Sequence, residues 1–176
     1  MIDIFESLEI SAVVDNNILQ DLYELNRIDI LFNVFDMVII PRIIYEEEVT
    51  EEVKQSLTIH TFVLGDIVTE IGFELYRTLS SNVEYRGLSR RDRFALSISL
   101  ETDYYCSSND GLIRKACETH DIRYTGILGV LQAAFQKKYL NENEVKHLVH
   151  QLQSIDTTCY ISRKICEEFL NKLFHT

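Results

Sequence analysis

Residues 11–19, SAVVDNNIL, combine an apolar run with an acid that follows it directly. The run 10–14 does not alternate with polar residues, which is typical of a strand buried on both faces of a sheet. Residues 17–25 then have the pattern of a helix. An acid that ends a buried strand is costly to desolvate unless it is paired or bound to metal. Asp15 is therefore either the N-cap of the next helix or a ligand.

The same unit, a short apolar strand followed by a helix, recurs along the chain. Further strands are predicted at 37–40, 58–63, 104–107 and 122–124, and further helices at 28–35, 42–55, 66–79, 90–101, 110–120, 127–138, 142–153 and 162–174. Such alternation favours an α/β fold with three α/β/α layers and a mostly parallel central sheet. We expect the main domain to cover residues 1–140, with residues 141–176 forming a C-terminal helical extension packed on it.

Composition excludes several classes of protein. The 176 residues carry a net charge of −11, and residues 1–70 alone carry −12, which argues against a broad electropositive surface for nucleic acid. No apolar run is long enough to cross a membrane, and the acidic start does not resemble a signal peptide. The four cysteines (Cys106, Cys117, Cys159 and Cys166) lack zinc-site spacing, so we expect reduced thiols in a cytoplasmic protein.

Other acids occupy positions comparable to that of Asp15. Asp110 follows a second predicted strand and opens a helix, so it is a cap or a second strand-end acid. In a parallel sheet both acids would lie at the same edge, where ligands bind. Asp92 falls in the first turn of a helix that Ser89 caps, where a carboxylate is also favoured by the helix dipole.

The fourth candidate lies in the triplet Glu46, Glu47 and Glu48, which follows Pro41. At 100° per residue on an unbroken helix, Glu47 projects between Ile43 and Ile44, although a solvated acidic face explains the triplet equally well. Four clustered carboxylates would repel one another and would need divalent cations or raised pKa values. Oxygen ligands select Mg²⁺ or Mn²⁺, whose usual chemistry is phosphodiester hydrolysis by metal-activated water.

Four strings in order resemble the four acidic motifs of PIN-domain ribonucleases, particularly VapC-like toxins of toxin–antitoxin pairs. They are VVDNNIL, PRIIYEEEV, LSRRDRFAL and CSSNDGLIRKA. The later string TGILGVLQAAFQKKYL resembles the closing strand and helix of the family, and ISRKICEEFLNKL resembles a C-terminal helix of one branch. Residues 50–88 show the weakest likeness.

This resemblance implies a catalytic, metal-binding set of Asp15, Glu47, Asp92 and Asp110, although the triplet leaves the second acid uncertain by one position. It also implies that Asn17, Ser108 and Asn109 support the site. Asn109 stands where some relatives carry another acid, which would weaken a second metal site. The implied protein is a Mg²⁺- or Mn²⁺-dependent endoribonuclease that cleaves RNA, forms a homodimer and has a cognate antitoxin.

Four arginines surround Asp92: Arg86, Arg90, Arg91 and Arg93. They are a charged helix start, or they hold the RNA backbone (Arg90, Arg91 and Arg93), or they pair with the acids when metal is absent. His147 and His150 lack metalloprotease spacing and are predicted to lie on the surface.

Two other functions remain open. A catalytically inactive PIN-like interaction module would use the acids to bind a basic partner, and it would show no affinity for divalent ions. A receiver-like phosphorylation domain also clusters acids at strand ends. That domain needs an acid pair after the first strand and a lysine after the last, where this chain has Asn16–Asn17 and Thr125–Gly126.

Overall fold

A five-stranded parallel sheet forms the centre of the computed structural model, which describes residues 10–154 and 161–174. The strands are β1 (Ser11–Val14), β2 (Met37–Pro41), β3 (Val63–Gly65), β4 (Tyr105–Ser107) and β5 (Tyr124–Thr125). They lie in the order β3-β2-β1-β4-β5, and each neighbouring pair is parallel. This sheet and its helices confirm the predicted three-layer α/β/α fold.

The helices that surround the sheet are α1 (Asn16–Glu24), α2 (Asp29–Val34), α3 (Arg42–Glu47), α4 (Glu51–Leu57), α5 (Glu70–Ser81), α6 (Arg90–Thr102), α7 (Gly111–Thr119), α8 (Ile127–Gln136), α9 (Glu142–Ser154) and α10 (Arg163–Phe174). Both faces of the sheet are covered. On β4, Tyr105 belongs to the larger core cluster and Cys106 to the smaller one. Since successive side chains of a strand point to opposite faces, the two clusters fill the two sides of the sheet.

The order of the strands determines where a site can form. From β1 the chain adds β2 and β3 on one side, and it then returns to add β4 and β5 on the other. The switch point is therefore the gap between β1 and β4, where Val14 pairs with Ser107. In parallel sheets, ligands bind beyond the carboxyl ends of the strands at this point.

The long helix predicted at residues 42–55 is wrong, because the chain breaks there into α3 and α4. Glu48 ends α3 with φ −123° and ψ −35°, and Thr50 caps α4 by accepting a hydrogen bond from Val53 N at 3.4 Å. Thr50 is followed by two acids in the first turn of α4, a favourable arrangement that restarts the helix.

Two other elements differ from the sequence prediction. The strand predicted at residues 58–63 lies instead at Val63–Gly65, and the helix predicted to begin at residue 66 begins at Glu70. Thr69 caps that helix and accepts a hydrogen bond from Gly72 N at 3.3 Å. A threonine cap two residues after apolar Ile67 is a weaker sequence signal than the Ser89 cap of α6, which was predicted correctly.

The C-terminal helices contribute to the larger core, which contains four residues of α9 and Cys166 of α10: Val145, Leu148, Val149, Leu152 and Cys166. His147 and His150 are exposed, as predicted. The cysteines that the structure describes are free and buried, and Cys159 lies outside the described residues. Among the described helices, none is long and apolar enough to cross a membrane.

Candidate metal centre at the sheet switch point

Asp15 lies directly beyond β1 and is only 6% exposed. Its Oδ1 accepts a hydrogen bond from the backbone N of Asn16 at 2.8 Å. Its Oδ2 accepts from Asn17 Nδ2 at 2.6 Å and from the Ser108 hydroxyl at 2.8 Å. Asp15 is thus the N-cap of α1, which confirms one of the two interpretations of the sequence, and its role as a ligand stays a prediction.

Ser108 connects the first strand-end acid to the last. Its hydroxyl donates to Asp15 and accepts from Asn17 Nδ2 at 3.1 Å and from Asp110 N at 3.2 Å. The backbone N of Asp15 also donates to Ser107 O at 3.0 Å, which joins the ends of β1 and β4. These contacts hold Asp15 and the Asp110 backbone in one hydrogen-bonded unit.

Asp110 is exposed and caps α7. Its Oδ1 accepts hydrogen bonds from Leu112 N at 2.7 Å and from Ile113 N at 3.0 Å. Within the described residues, no hydrogen bond is recorded to its Oδ2. One oxygen of this carboxylate therefore satisfies the helix, and the other is available to a ligand.

Asp92 is half-buried in the first turn of α6 and forms a capping box with Ser89. Its Oδ2 accepts from Ser89 N at 2.6 Å, and its own backbone N donates to the Ser89 hydroxyl at 3.2 Å. The reciprocal bonds fix the side chain at the helix start. As with Asp110, the other carboxylate oxygen has no hydrogen bond to the described part of the chain.

Burial is the largest cause that raises the pKa of Asp15, from 3.8 to about 6. The hydrogen bond from Ser108 lowers this pKa, and the nearby charges of Asp92 and Glu48 raise it. The pKa of Glu48 is also raised, first by burial and then by Asp92 and Glu47, while Arg91 lowers it. Asp15, Glu48 and Asp92 therefore share one electrostatic neighbourhood from three separate parts of the chain.

The glutamate triplet divides between two environments. Both Glu47 and Glu48 pair with Arg91. The Glu48 side chain is 27% exposed and lies near the charges of Asp15 and Asp92, whereas the Glu47 side chain is 46% exposed and also approaches Arg90. The prediction of Glu47 assumed an unbroken helix at about 100° per residue. In the structure α3 ends at Glu47, and the backbone of Glu48 is no longer helical. Glu47 stays a prediction as a ligand, and the structure adds Glu48 as the alternative.

The arginines predicted to bind RNA have different partners. Arg91 Nη1 lies 3.3 Å from Glu47 Oε2, and its Nε lies 2.7 Å from Glu48 Oε1. Arg90 is 66% exposed, lies over the Phe94 ring at 5.8 Å and reaches Glu47 only at 3.9 Å. The Nε atom of Arg93 is buried without a hydrogen-bond partner among the described residues.

Asn109 has an architectural role that the sequence prediction did not include. Its backbone N donates to Asn17 Oδ1 at 3.1 Å, and its side-chain Oδ1 accepts from Ile127 N at 2.9 Å. Its Nδ2 donates to Asp21 Oδ2 at 3.0 Å, and Asp21 is fully buried. Asp21 was missed, although its place four residues after Asn17 on α1 puts it on the same helix face.

The candidate ligands are carboxylate oxygens, which are the ligands that hard divalent cations prefer. Their negative charges repel one another, and a bound cation would relieve this repulsion. Two buried side-chain oxygens nearby in the chain, Asn16 Oδ1 and Ser107 Oγ, also have no hydrogen-bond partner in the described part of the chain. Within residues 10–154 and 161–174, however, no three Asp, Glu, His or Cys side chains converge closely enough to hold one ion. Metal binding would therefore require some of these carboxylates to come closer together than they are here.

A parallel α/β fold with acids at the switch point defines a class of proteins that bind ligands beyond the ends of β1 and β4. The family follows from comparison: a model described as a PIN domain matches residues 11–174, so the chain belongs to the PIN-domain family. Domains of this family are generally nucleases. No curated protein matches the chain.

Proposed function

We propose that this PIN domain is a Mg²⁺- or Mn²⁺-dependent endoribonuclease. The observation that carries the proposal is Asp15, a buried carboxylate with its pKa raised to about 6 at the switch point, beside the charges of Asp92 and Glu48. Structural acids that only cap helices gain nothing from such repulsion. A site that binds divalent cations would gain affinity from it, because the cation relieves the repulsion.

Asp15, Asp92, Asp110 and one of Glu47 and Glu48 would hold the ion. When bound, a divalent cation supplies an activated water and balances charge on the phosphoryl oxygens. Ser108 and Asn17 orient Asp15 through hydrogen bonds to its Oδ2, and the bond from Ser108 lowers the pKa of Asp15 against the effect of burial. Arg90, Arg91 and Arg93 would hold the RNA backbone beside the acids.

The direct test is cleavage of RNA by purified protein in Mn²⁺ or Mg²⁺. The Asp15→Asn variant should lose at least about 10²-fold in rate, the order of magnitude expected when a group in an electrostatically tuned site is removed. Asp121→Asn is the matched control, because Asp121 is exposed and has φ 55°, a conformation that asparagine tolerates. Cleavage that survives Asp15→Asn would contradict the assignment.

We further propose that the protein is a VapC-like toxin that acts in the cytoplasm as a homodimer and is neutralised by an antitoxin. The order of the four motifs supports this assignment. The net charge of −12 in residues 1–70 exceeds what one metal site needs, and the surplus suits a basic antitoxin segment. Expression should arrest growth, and Asp110→Asn should relieve the arrest. Growth arrest that persists in this variant would count against a nuclease toxin.

A second candidate is an inactive PIN-like interaction module. The observation that favours it is that the described acids do not converge on one ion and that Arg91 already neutralises two of them. This candidate predicts no heat of Mn²⁺ binding and no cleavage of any RNA. Saturable Mn²⁺ binding that depends on Asp15 would exclude it.

A further inference from the structure

Arg91 is the only arginine within the described residues that forms an ion pair with both Glu47 and Glu48. Its side chain is 35% exposed, so the pairs are partly shielded from solvent. The positive charge lies beside the neighbourhood of Asp15, Glu48 and Asp92, where like charges otherwise accumulate. Arg91 therefore supplies charge balance at the place where the proposed function needs a cation.

The contact between Arg91 and Glu48 has the form of a charge contact. The two atoms are 2.7 Å apart, but Nε has no hydrogen-bond partner among the described residues. By contrast, Ser108 and Asn17 hold Asp15 through direct hydrogen bonds of 2.8 Å and 2.6 Å. A pair held by charge alone is easier to exchange for another cation than a carboxylate fixed by aligned donors.

We propose that Arg91 is an internal counter-ion that holds Glu48 in the metal-free protein and gives it up when a divalent cation binds. The inference rests on the proposed function. It adds that Arg91 and the cation compete for the same carboxylate, so each weakens the binding of the other. Arg91 is thus a positioning residue for Glu48 and sets the metal affinity of the site.

The first test is calorimetric titration of Mn²⁺ into the wild-type protein, Arg91→Gln and Arg90→Gln. Arg91→Gln should bind Mn²⁺ about 2- to 5-fold more tightly, the factor that follows from the usual strength of one partly exposed ion pair. Arg90→Gln removes the same charge from a residue that reaches only Glu47, at 3.9 Å, and should change the affinity less than about twofold. Arg91→Lys should lie between the wild-type protein and Arg91→Gln.

The second test measures Tm for the same proteins in EDTA and in saturating Mn²⁺. Arg91→Gln should lower Tm by about 2–4 °C in EDTA, and Mn²⁺ should remove at least half of this loss, because the cation takes over the same role. A merely structural arginine would give the same loss in both conditions. That result, or an unchanged or weaker Mn²⁺ affinity in Arg91→Gln, would overturn the proposal.

The outcomes separate this inference from the proposed function. Mn²⁺ binding that is equal in the wild-type protein and Arg91→Gln, together with RNA cleavage by both, would overturn the counter-ion role and leave the nuclease intact. Absence of Mn²⁺ binding in both proteins would overturn both proposals. Mn²⁺ binding that appears only in Arg91→Gln would support the counter-ion role strongly and would explain a weakly active wild-type protein.

Discussion

The two sides of the candidate site are held together by different forces. On the β1–β4 side, Asp15, Asn17 and Ser108 are joined by hydrogen bonds of 2.6 to 3.1 Å. On the other side, Glu47 and Glu48 are held by ion pairs with Arg91, and both glutamates are more exposed than Asp15. The first side is preorganised by hydrogen bonds from neutral donors. The second is held by ion pairs, one of which includes a hydrogen bond of 3.3 Å from Arg91 to Glu47, and salt and cations can replace such pairs.

This difference gives the proposed metal site a way to remain stable without a metal. Asp15 stays fixed because α1 and β4 need its hydrogen bonds, whether or not an ion is present. The negative charges of Glu47 and Glu48 are balanced by the neighbouring Arg91. Substitutions on the β1–β4 side should therefore affect activity and folding together, whereas those on the arginine side should affect metal affinity first.

The largest effect on folding is expected from Asn109→Ala, which removes the side chain that joins α1 to the start of α8. Asp21 and Ile127 N would each lose a hydrogen bond in a buried setting, so we expect a loss of about 2–4 kcal/mol in the free energy of unfolding. Urea denaturation of Asn109→Ala beside Asn143→Ala, an exposed position in α9, measures this difference. Equal midpoints would show that Asn109 is not an architectural residue.

A smaller effect is expected from the protonation of Asp15. Its folded pKa of about 6 exceeds the ordinary value of 3.8, so the folded protein holds this proton between those values. Protonation of Asp15 therefore adds to the free energy of unfolding at low pH, and this stabilisation is lost as pH rises from about 4 to about 6. Asp15→Asn should gain about 1–3 kcal/mol relative to the wild-type protein between pH 4 and pH 7.

Thermal unfolding across this pH range, with Asp121→Asn as the control, measures the gain. The difference in the free energy of unfolding between Asp15→Asn and the wild-type protein should therefore move in favour of the variant as pH rises. A stability difference that does not change with pH would show that Asp15 ionises normally in the folded state.

The smallest predicted effect distinguishes the two glutamates. Glu48→Gln should weaken Mn²⁺ binding about tenfold, because the ion loses one charged ligand, and a tenfold change in affinity corresponds to about 1.4 kcal/mol. Glu47→Gln should change Mn²⁺ binding about twofold or less, because Glu47 contacts arginines and is 46% exposed. The same calorimetric titration compares the two variants, and a larger effect of Glu47→Gln would restore the original assignment.

The first two strands were predictable because each contains a continuous apolar run, as in the segment that ends at Asp15. The Ser89 cap was predictable because serine followed three residues later by Asp92 is a local signal. The break after Glu48 was not predictable from the apolar pattern, because that pattern runs across both α3 and α4 and only the Thr50 cap marks the restart. The choice between Glu47 and Glu48 depended on that break.

The links within the site were also beyond the sequence. Nothing local in Asn109 indicates that its side chain reaches Asp21 and Ile127, since these partners are 88 and 18 residues away. The pairing of Arg91 with Glu47 and Glu48 likewise depends on the distance between α3 and α6, which tertiary packing alone determines. The positions of the charged residues in the sequence indicated which residues belong to the candidate site, and the fold determined which of them pair.

The most direct measurement of the central claim is RNA cleavage by EDTA-treated protein before and after Mn²⁺ is added back, in water enriched in ¹⁸O. We predict no cleavage in EDTA, restored cleavage in Mn²⁺, and one solvent oxygen in each new terminal phosphate, because water is the nucleophile. Cleavage in EDTA that leaves 2′,3′-cyclic phosphates would contradict the account, as would the absence of any cleavage in Mn²⁺.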